Sequence, residues 1–428
     1  MGSPGVACRP GATGGASGAD GECTKDNDCK GARTCVRGQC SDSPSERPVA
    51  KTGGRSAHEA LGWSRGGAAG HDAAQGVGPV RAPRVAWDVD LGAVVFARPT
   101  VLSGANEDAI AYVGTHAGRF VGVQAEGASA GEIVLDLELG GIVWSTAAAD
   151  DRGRLYVGAD NDTVFAIDAG SRAITWSRRL GDCEPARAPG PEGTRCDVDG
   201  GPTLGPDGDL YVGADGVYRI SPAGDVRWRW PGAEEGAERA RHVFSTPVLT
   251  ADGTIVFGGQ DGFITALSPD GHERWRHQVG ADVDGTPAIG VDGTIYVGAD
   301  NGGVHALHPD GSVRWRFMTN RDIRSAIAVA DDGMLFVSSF DGNVYGLDPD
   351  GNVRWVVPTG GPIASSPVVD LAGTIFFGSR DEHLYAVRPE GIVSWVLEFP
   401  ASVDSSVSIT PAGTLVVGCD DGHLRGLR

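Results

Sequence analysis

The chain has 428 residues, a formal net charge of −20, 67 glycines and 40% hydrophobic residues. That length holds one large domain or two to three ordinary ones, and the glycine content favours an all-β protein with many tight turns over a helical one. The negative charge excludes a surface built to displace counterions from nucleic-acid phosphates or to adsorb to anionic lipid, and no run of about 18 apolar residues offers a membrane-spanning helix.

Residues 1–22 are rich in Gly, Ala and Ser and read as a flexible tether, because they bury too little to offset the entropy of ordering. No apolar segment precedes "GVAC", so no signal peptide is legible there. Cys8 nevertheless follows small residues and precedes a polar tether, as the acylated cysteine of bacterial lipoproteins does, although Gly5 stands where Leu is usual. Cys8 is a lipidation candidate if the natural start lies upstream, and an unpaired thiol otherwise.

Residues 23–40, "CTKDNDCKGARTCVRGQC", bring Cys23, Cys29, Cys35 and Cys40 together with little apolar material. This predicts a small disulfide-stapled module and an extracytoplasmic location, in the periplasm, anchored at the outer membrane or secreted. A zinc site is the alternative, but the spacing lacks a tight C-x2-C knuckle. Residues 41–82 add Pro and charge to Gly and Ala and read as a disordered linker.

Residue 83 onward is repetitive. Trp275, Trp315, Trp355 and Trp395 stand 40 residues apart, and so do Gly258, Gly298, Ser338, Gly378 and Gly418. Gly114, Gly158 and Gly213 continue the series upstream with longer loops. One copy, "TIYVGADNGGVHALHPDGSVRWRF", holds short β-like runs separated by "DNGG" and "PDGS", whose glycines suit positive φ. About four short strands per period near 40 residues predict a β-propeller, and the hairpin turns favour antiparallel blades over a solenoid.

Small residues recur after each tryptophan at Ala97, Ser145, Gly200, Ser245, Gly285, Ser325, Ser365 and Ser405, which counts eight blades, with Leu135 in place of the tryptophan in one copy. The last copy has no Trp strand. "RVAWDVDL" at 84–91 supplies it, so the two ends of the sequence close one blade and remove the open sheet edge. Residues 83–428 are thus predicted to form a monomeric eight-bladed propeller, with Trp315 and its counterparts packed between blades.

The position before each small residue varies: Phe96, Trp144, Asp199, Phe244, Asp284, Arg324, Ala364 and Asp404. The position before that does not: Val95, Val143, Val198, Val243, Val283, Ile323, Ile363 and Val403. Strand alternation sends the two columns to opposite sides, so the constant one packs and the variable one faces the central channel or its mouth. Asp197, His242, Asp282 and Asp322 lie two residues earlier. Two insertions fall on this rim, "GDCEPARAPGPEGTRCDVDGG", closed by a Cys183–Cys196 disulfide, and "PGAEEGAERARH". Asp199, Asp284 and Asp404, counted to blades three, five and seven, or the pairs Asp197/Asp199 and Asp282/Asp284, are the candidates for calcium. Cys419, after "VVG", reads as a buried inert thiol. No G-x-S-x-G, H-E-x-x-H or phosphate loop occurs.

The pattern "DGTIYVGADNGGVHALHPDGSVRW" resembles the PQQ-like repeat family, shared by quinoprotein dehydrogenases and the outer-membrane assembly lipoprotein BamB. The quinoprotein enzymes imply an adjacent Cys pair, calcium and an acidic base. Here no two cysteines are adjacent, the turns read "PDG" rather than T-G, and the chain is shorter, so PQQ is not expected. The BamB-like class implies a non-catalytic scaffold for an envelope protein or peptide, without a cofactor. The alternative is a sensor or enzyme with a small molecule or metal in the funnel. The four-cysteine segment resembles modules of myxobacterial surface proteins, which implies export.

Overall fold

The computed structural model describes residues 34–36, 39–41, 76–103, 109–181, 197–231 and 242–428. Cys8, Cys23, Cys29, Cys183 and Cys196 lie outside these residues. Strands Thr34–Val36 and Gln39–Ser41 form a short antiparallel hairpin in which the backbones of Cys35 and Cys40 are register partners. The hairpin belongs to a unit ending at Arg47, separate from the one running from Pro48 to Arg428.

The second unit contains eight four-stranded antiparallel sheets, and no helix occurs among the described residues. Blade 5 is typical, with strands Ala288–Ile289, Ile295–Gly298, Gly303–Leu307 and Val313–Met318 in that order. Its second strand, "IYVG", is buried throughout, whereas its fourth runs along the outside and is largely exposed. A blade buried on both faces needs apolar residues on both, which explains the continuous runs in place of alternation. The two-residue first strand is innermost, and first strands of neighbouring blades lie against one another, including Ser408–Ile409 against Thr100–Ser103. The ring is therefore closed. The expected closing strand, Val85–Asp90, pairs with His423–Leu427 in blade 8.

Two contacts join each blade to the next. The first is made by the constant apolar column. A Cβ added at Gly298 would lie 2.2 Å from Ile323 Cγ2, one at Gly258 2.3 Å from Val283 Cγ1, and one at Gly418 2.4 Å from Val95 Cγ1. At these glycines the missing Cβ lets that side chain touch the strand behind it, and blade 6 has the small buried Ser338 at the same position.

The second is made by the tryptophans. Trp275, Trp315 and Trp355 donate their indole N–H to the carbonyls of Pro309, Pro349 and Pro389 at 2.8–2.9 Å. Trp176 and Trp228 do the same to Pro222 and Pro269. Each acceptor opens a turn of the next blade whose glycine, two residues on, has positive φ and no room for a Cβ: at Gly311 (φ 82°) that atom would lie 2.6 Å from the Trp275 ring. The "PDG" turn is thus a seat for the preceding blade's indole.

Trp395 faces blade 8, whose sheet is assembled from both chain ends and has no such turn. Its indole N–H donates to the Pro79 carbonyl at 2.8 Å. Gly78 N–H donates to Asp370 Oδ2 at 2.9 Å, and a Cβ at Gly78 would lie 2.5 Å from the Phe376 ring. Residues 76–82, assigned to the linker on composition, therefore lie against the propeller. Truncating the chain before Pro83 removes both partners, leaving the Trp395 indole N–H and one oxygen of the buried Asp370 carboxylate without them. Relative to the full chain, the denaturant midpoint should fall by the equivalent of about 1–3 kcal/mol; an unchanged midpoint would show that the segment holds nothing.

Candidate functional site

The turns between second and third strands and the loops entering the first strands share one face of the ring, because strand direction alternates. The tryptophan seats lie on the other. On the loop face the constant column, Val95 to Val403, is buried to 0–1% exposure. The variable column beside it is half-buried at Phe96, Trp144, Asp199, Phe244, Asp284 and Ala364, exposed at Arg324 and buried at Asp404. The alternation read from the sequence is present. Asp404 precedes the first strand of blade 8, not blade 7, so the count for that residue is corrected; Asp199 and Asp284 precede blades 3 and 5.

A second ring accompanies the first and was not singled out in the sequence. It stands two residues after each "VG" glycine or its equivalent: His116, Asp160, Asp215, Gln260, Asp300, Phe340, Arg380 and Asp420. In seven blades the backbone N–H of this residue donates to the carbonyl two positions before the variable residue, as Asp300 does to Asp282 and Arg380 to Pro362, both at 3.0 Å. The two rings are therefore held at fixed spacing.

Their side chains meet across blade boundaries. The Arg324 guanidinium donates to both oxygens of Asp300, at 2.7–3.1 Å. Arg380 Nε donates to both oxygens of Asp404, at 3.0 and 3.1 Å. Phe340 lies between the two arginines, with Arg380 Cζ 5.1 Å and Arg324 Cζ 5.7 Å from its ring centroid. Hydrogen bonding to Asp300 holds the Arg324 guanidinium above its usual range. Gln260 Nε2 reaches Asp284 Oδ1 at 3.4 Å. Burial, with Asp300 nearby, pushes the Asp284 carboxyl up to about 6, and burial beside Asp404 does the same at Asp420. Asp215 turns inward, accepting from Tyr218 and Arg229.

Blades 1 and 2 carry an aromatic sector. Phe96 and Trp144 are 5.2 Å apart edge to face, and His116 lies 4.1 Å from the Trp144 ring. Trp144 Nε1 donates to Asp160 Oδ2 at 3.2 Å. Burial lowers the His116 pKa, so the ring is neutral near pH 7.

Asp160, Asp197 and Asp199 each offer one oxygen within 4.8 Å of the others, and this is the sole acidic trio with ligand spacing among the described residues. Of the calcium candidates Asp199, Asp284 and Asp404, which precede blades 3, 5 and 8, the trio includes Asp199, together with Asp197 of the alternative pair. Cys419 is buried, with its thiol pushed up to about 11 by desolvation.

The family model described as outer membrane protein assembly factor BamB matches residues 84–303 and 260–421. No curated protein matches the chain. Among solved structures, BamB from Moraxella catarrhalis is 16% identical with a TM-score of 0.62, over 81% of this chain and 99% of that one. The quinohemoprotein alcohol dehydrogenase of Comamonas testosteroni is 16% identical with a TM-score of 0.64, over 81% of this chain and 76% of its own. A computationally designed protein, Ika8, is 14% identical with a TM-score of 0.59, over 79% of this chain and 98% of its own. An assembly factor, an oxidoreductase and a design share this fold, so the likenesses establish the fold alone.

The raised Asp284 carboxyl has a consequence for stability. Between roughly pH 4 and 6 the folded chain keeps a proton that the unfolded chain has released, so this group's contribution falls as pH rises through that window. Asp284→Asn keeps an acceptor for Gln260 and removes the titration. The variant should exceed the wild type in stability at pH 7.5 by on the order of 1–3 kcal/mol, with the advantage gone by about pH 4. Thermal unfolding at both pH values checks this, and an advantage equal at the two would refute it.

Proposed function

The chain belongs to the family of the outer membrane protein assembly factor BamB, and from that premise we propose that it is an exported, non-catalytic propeller that binds an envelope protein or peptide through its funnel rim. The observation that carries this reading is the cross-blade pairing of Asp300, Arg324, Phe340, Arg380 and Asp404. Long side chains already held in place lose little freedom when a partner docks, which favours a rigid recognition face. The same pairing occupies Asp300 and Asp404 as hydrogen-bond acceptors, so neither is available as a general base. The cysteines of 23–40 support export, and a lipid on Cys8 would hold the propeller at a membrane surface through its tether.

A second reading has its own observation. The trio Asp160, Asp197 and Asp199 has oxygens close enough for a divalent cation, the arrangement a metal or small-molecule site in the funnel would use. A photo-cross-linking residue placed at Phe244 or Ala364 of the full chain, in its native host, separates the two. Capture of one envelope protein from both positions supports the scaffold. No captured protein, together with calcium retained in native mass spectrometry and lost in Asp160→Asn, would replace it with the funnel site.

A further inference from the structure

The eightfold repeat leaves the rim asymmetric. In blades 5 to 8 the chain supplies its own cations: Arg324 and Arg380 lie over the Phe340 ring and pair with Asp300 and Asp404. Blades 1 and 2 hold the same chemistry without the cation. Phe96, His116 and Trp144 present three rings within 4.1–6.1 Å of one another, and Asp160 stands beside them. No Lys or Arg pairs with Asp160 among the described residues. At the place where blade 6 offers Arg324 to the preceding Asp300, blade 3 offers Asp199 to Asp160.

Two acceptors in this sector are also without hydrogen-bond partners: Asp160 Oδ1 and His116 Nε2. Because burial keeps His116 neutral, its Nε2 accepts when the proton is on Nδ1. The surrounding field has matching sign, with seven aspartates against two arginines in the two rings and a net charge of −20 for the chain.

We propose that Phe96, His116, Trp144 and Asp160 form a receptor for one arginine side chain of a partner polypeptide. This rests on the protein-binding reading above and names the chemistry that reading leaves open. A planar guanidinium stacks on the aromatic faces and carries enough N–H donors, in a fixed fork, to satisfy both acceptors at once. An ammonium is a compact, strongly hydrated charge that does not stack. The charge-paired half of the rim shows the same geometry completed within the chain, with guanidinium over ring and fork to carboxylate.

The test is calorimetric titration of the full chain with an acetylated, amidated Gly-Arg-Gly tripeptide and its citrulline counterpart, which keeps the shape and removes the charge. The arginine peptide should bind at least about 10-fold tighter than the citrulline peptide and weaken with added salt. Asp160→Asn and Phe96→Leu should each reduce that preference by about 5-fold or more, while Val313→Ala, on the exposed outer strand of blade 5, leaves it unchanged. Equal affinity for both peptides, or full preference retained in Asp160→Asn, overturns the proposal. Tetramethylammonium bound as tightly as the arginine peptide would overturn it in favour of a free small cation. Failure here with envelope-protein cross-linking intact sinks the arginine receptor alone; failure of both sinks the binding reading as well.

Discussion

The indole N–H of one blade, the proline carbonyl of the next and the positive-φ glycine two residues beyond it form the constraint on which the ring depends. A tryptophan between blades buries large apolar area, but its N–H must find an acceptor there. The "PDG" turn supplies one and removes the Cβ that would keep the ring off the backbone, as at Gly311, Gly351 and Gly391. In the regular blades donor and acceptor are 34 residues apart, while at Trp228 and Trp176 the separation is 41 and 46. The contact is made at all these separations, so it does not depend on a fixed spacing.

The exceptions obey the same rule. Blade 1 carries Leu135 in place of tryptophan, and the turn it faces in blade 2, from Asp168 to Arg172, has no proline. Indole and proline are absent together, so blade 1 has no indole N–H that needs a seat. Trp87 finds its acceptor in the Ala125 carbonyl, with Gly131 beneath it. At the seam Gly78, Pro79 and Val80 stand in for the missing turn. A Gly- and Pro-rich stretch that occurs once has the composition of a linker and no period. Its seat becomes visible only when Trp395 is seen to need a partner.

The fold was legible because the contacts that make it are periodic. The Trp step, the "VG" step and the small-residue step are each read with one ruler, and each proves to be an interblade contact. The first ring of the rim was legible by contrast, a variable column beside a constant one. The second ring stood on the same ruler, two residues after the glycines, but short polar residues near turns are most often Asx caps, as Asp252, Asp292 and Asp310 are here. Pairing hid in the same way. Gln260 with Asp284, Asp300 with Arg324 and Arg380 with Asp404 are each 24 residues apart. A fixed separation across a blade boundary is recognisable only once the blades are known to stack in that order.

Dividing the molecule into a latching face and a binding face accounts for how a repeat with nearly constant spacing can carry an asymmetric rim. Interblade packing is satisfied by the buried constant apolar column and by the tryptophan seats, half-buried at Trp176, Trp228, Trp275 and Trp315 and buried at Trp355 and Trp395. The rim side chains contribute little to that packing, and substitution there leaves the seats intact. The backbone hydrogen bond from the second ring to the first, as from Asp300 to Asp282, fixes where a rim side chain stands without specifying which residue it is. Eight equivalent positions can therefore hold a carboxylate, a guanidinium or an aromatic ring in any order. The order in this chain puts matched charge in blades 5 to 8 and aromatic rings with acid in blades 1 and 2. A rim so divided binds a partner in one orientation, whereas an eightfold-symmetric one would accept eight.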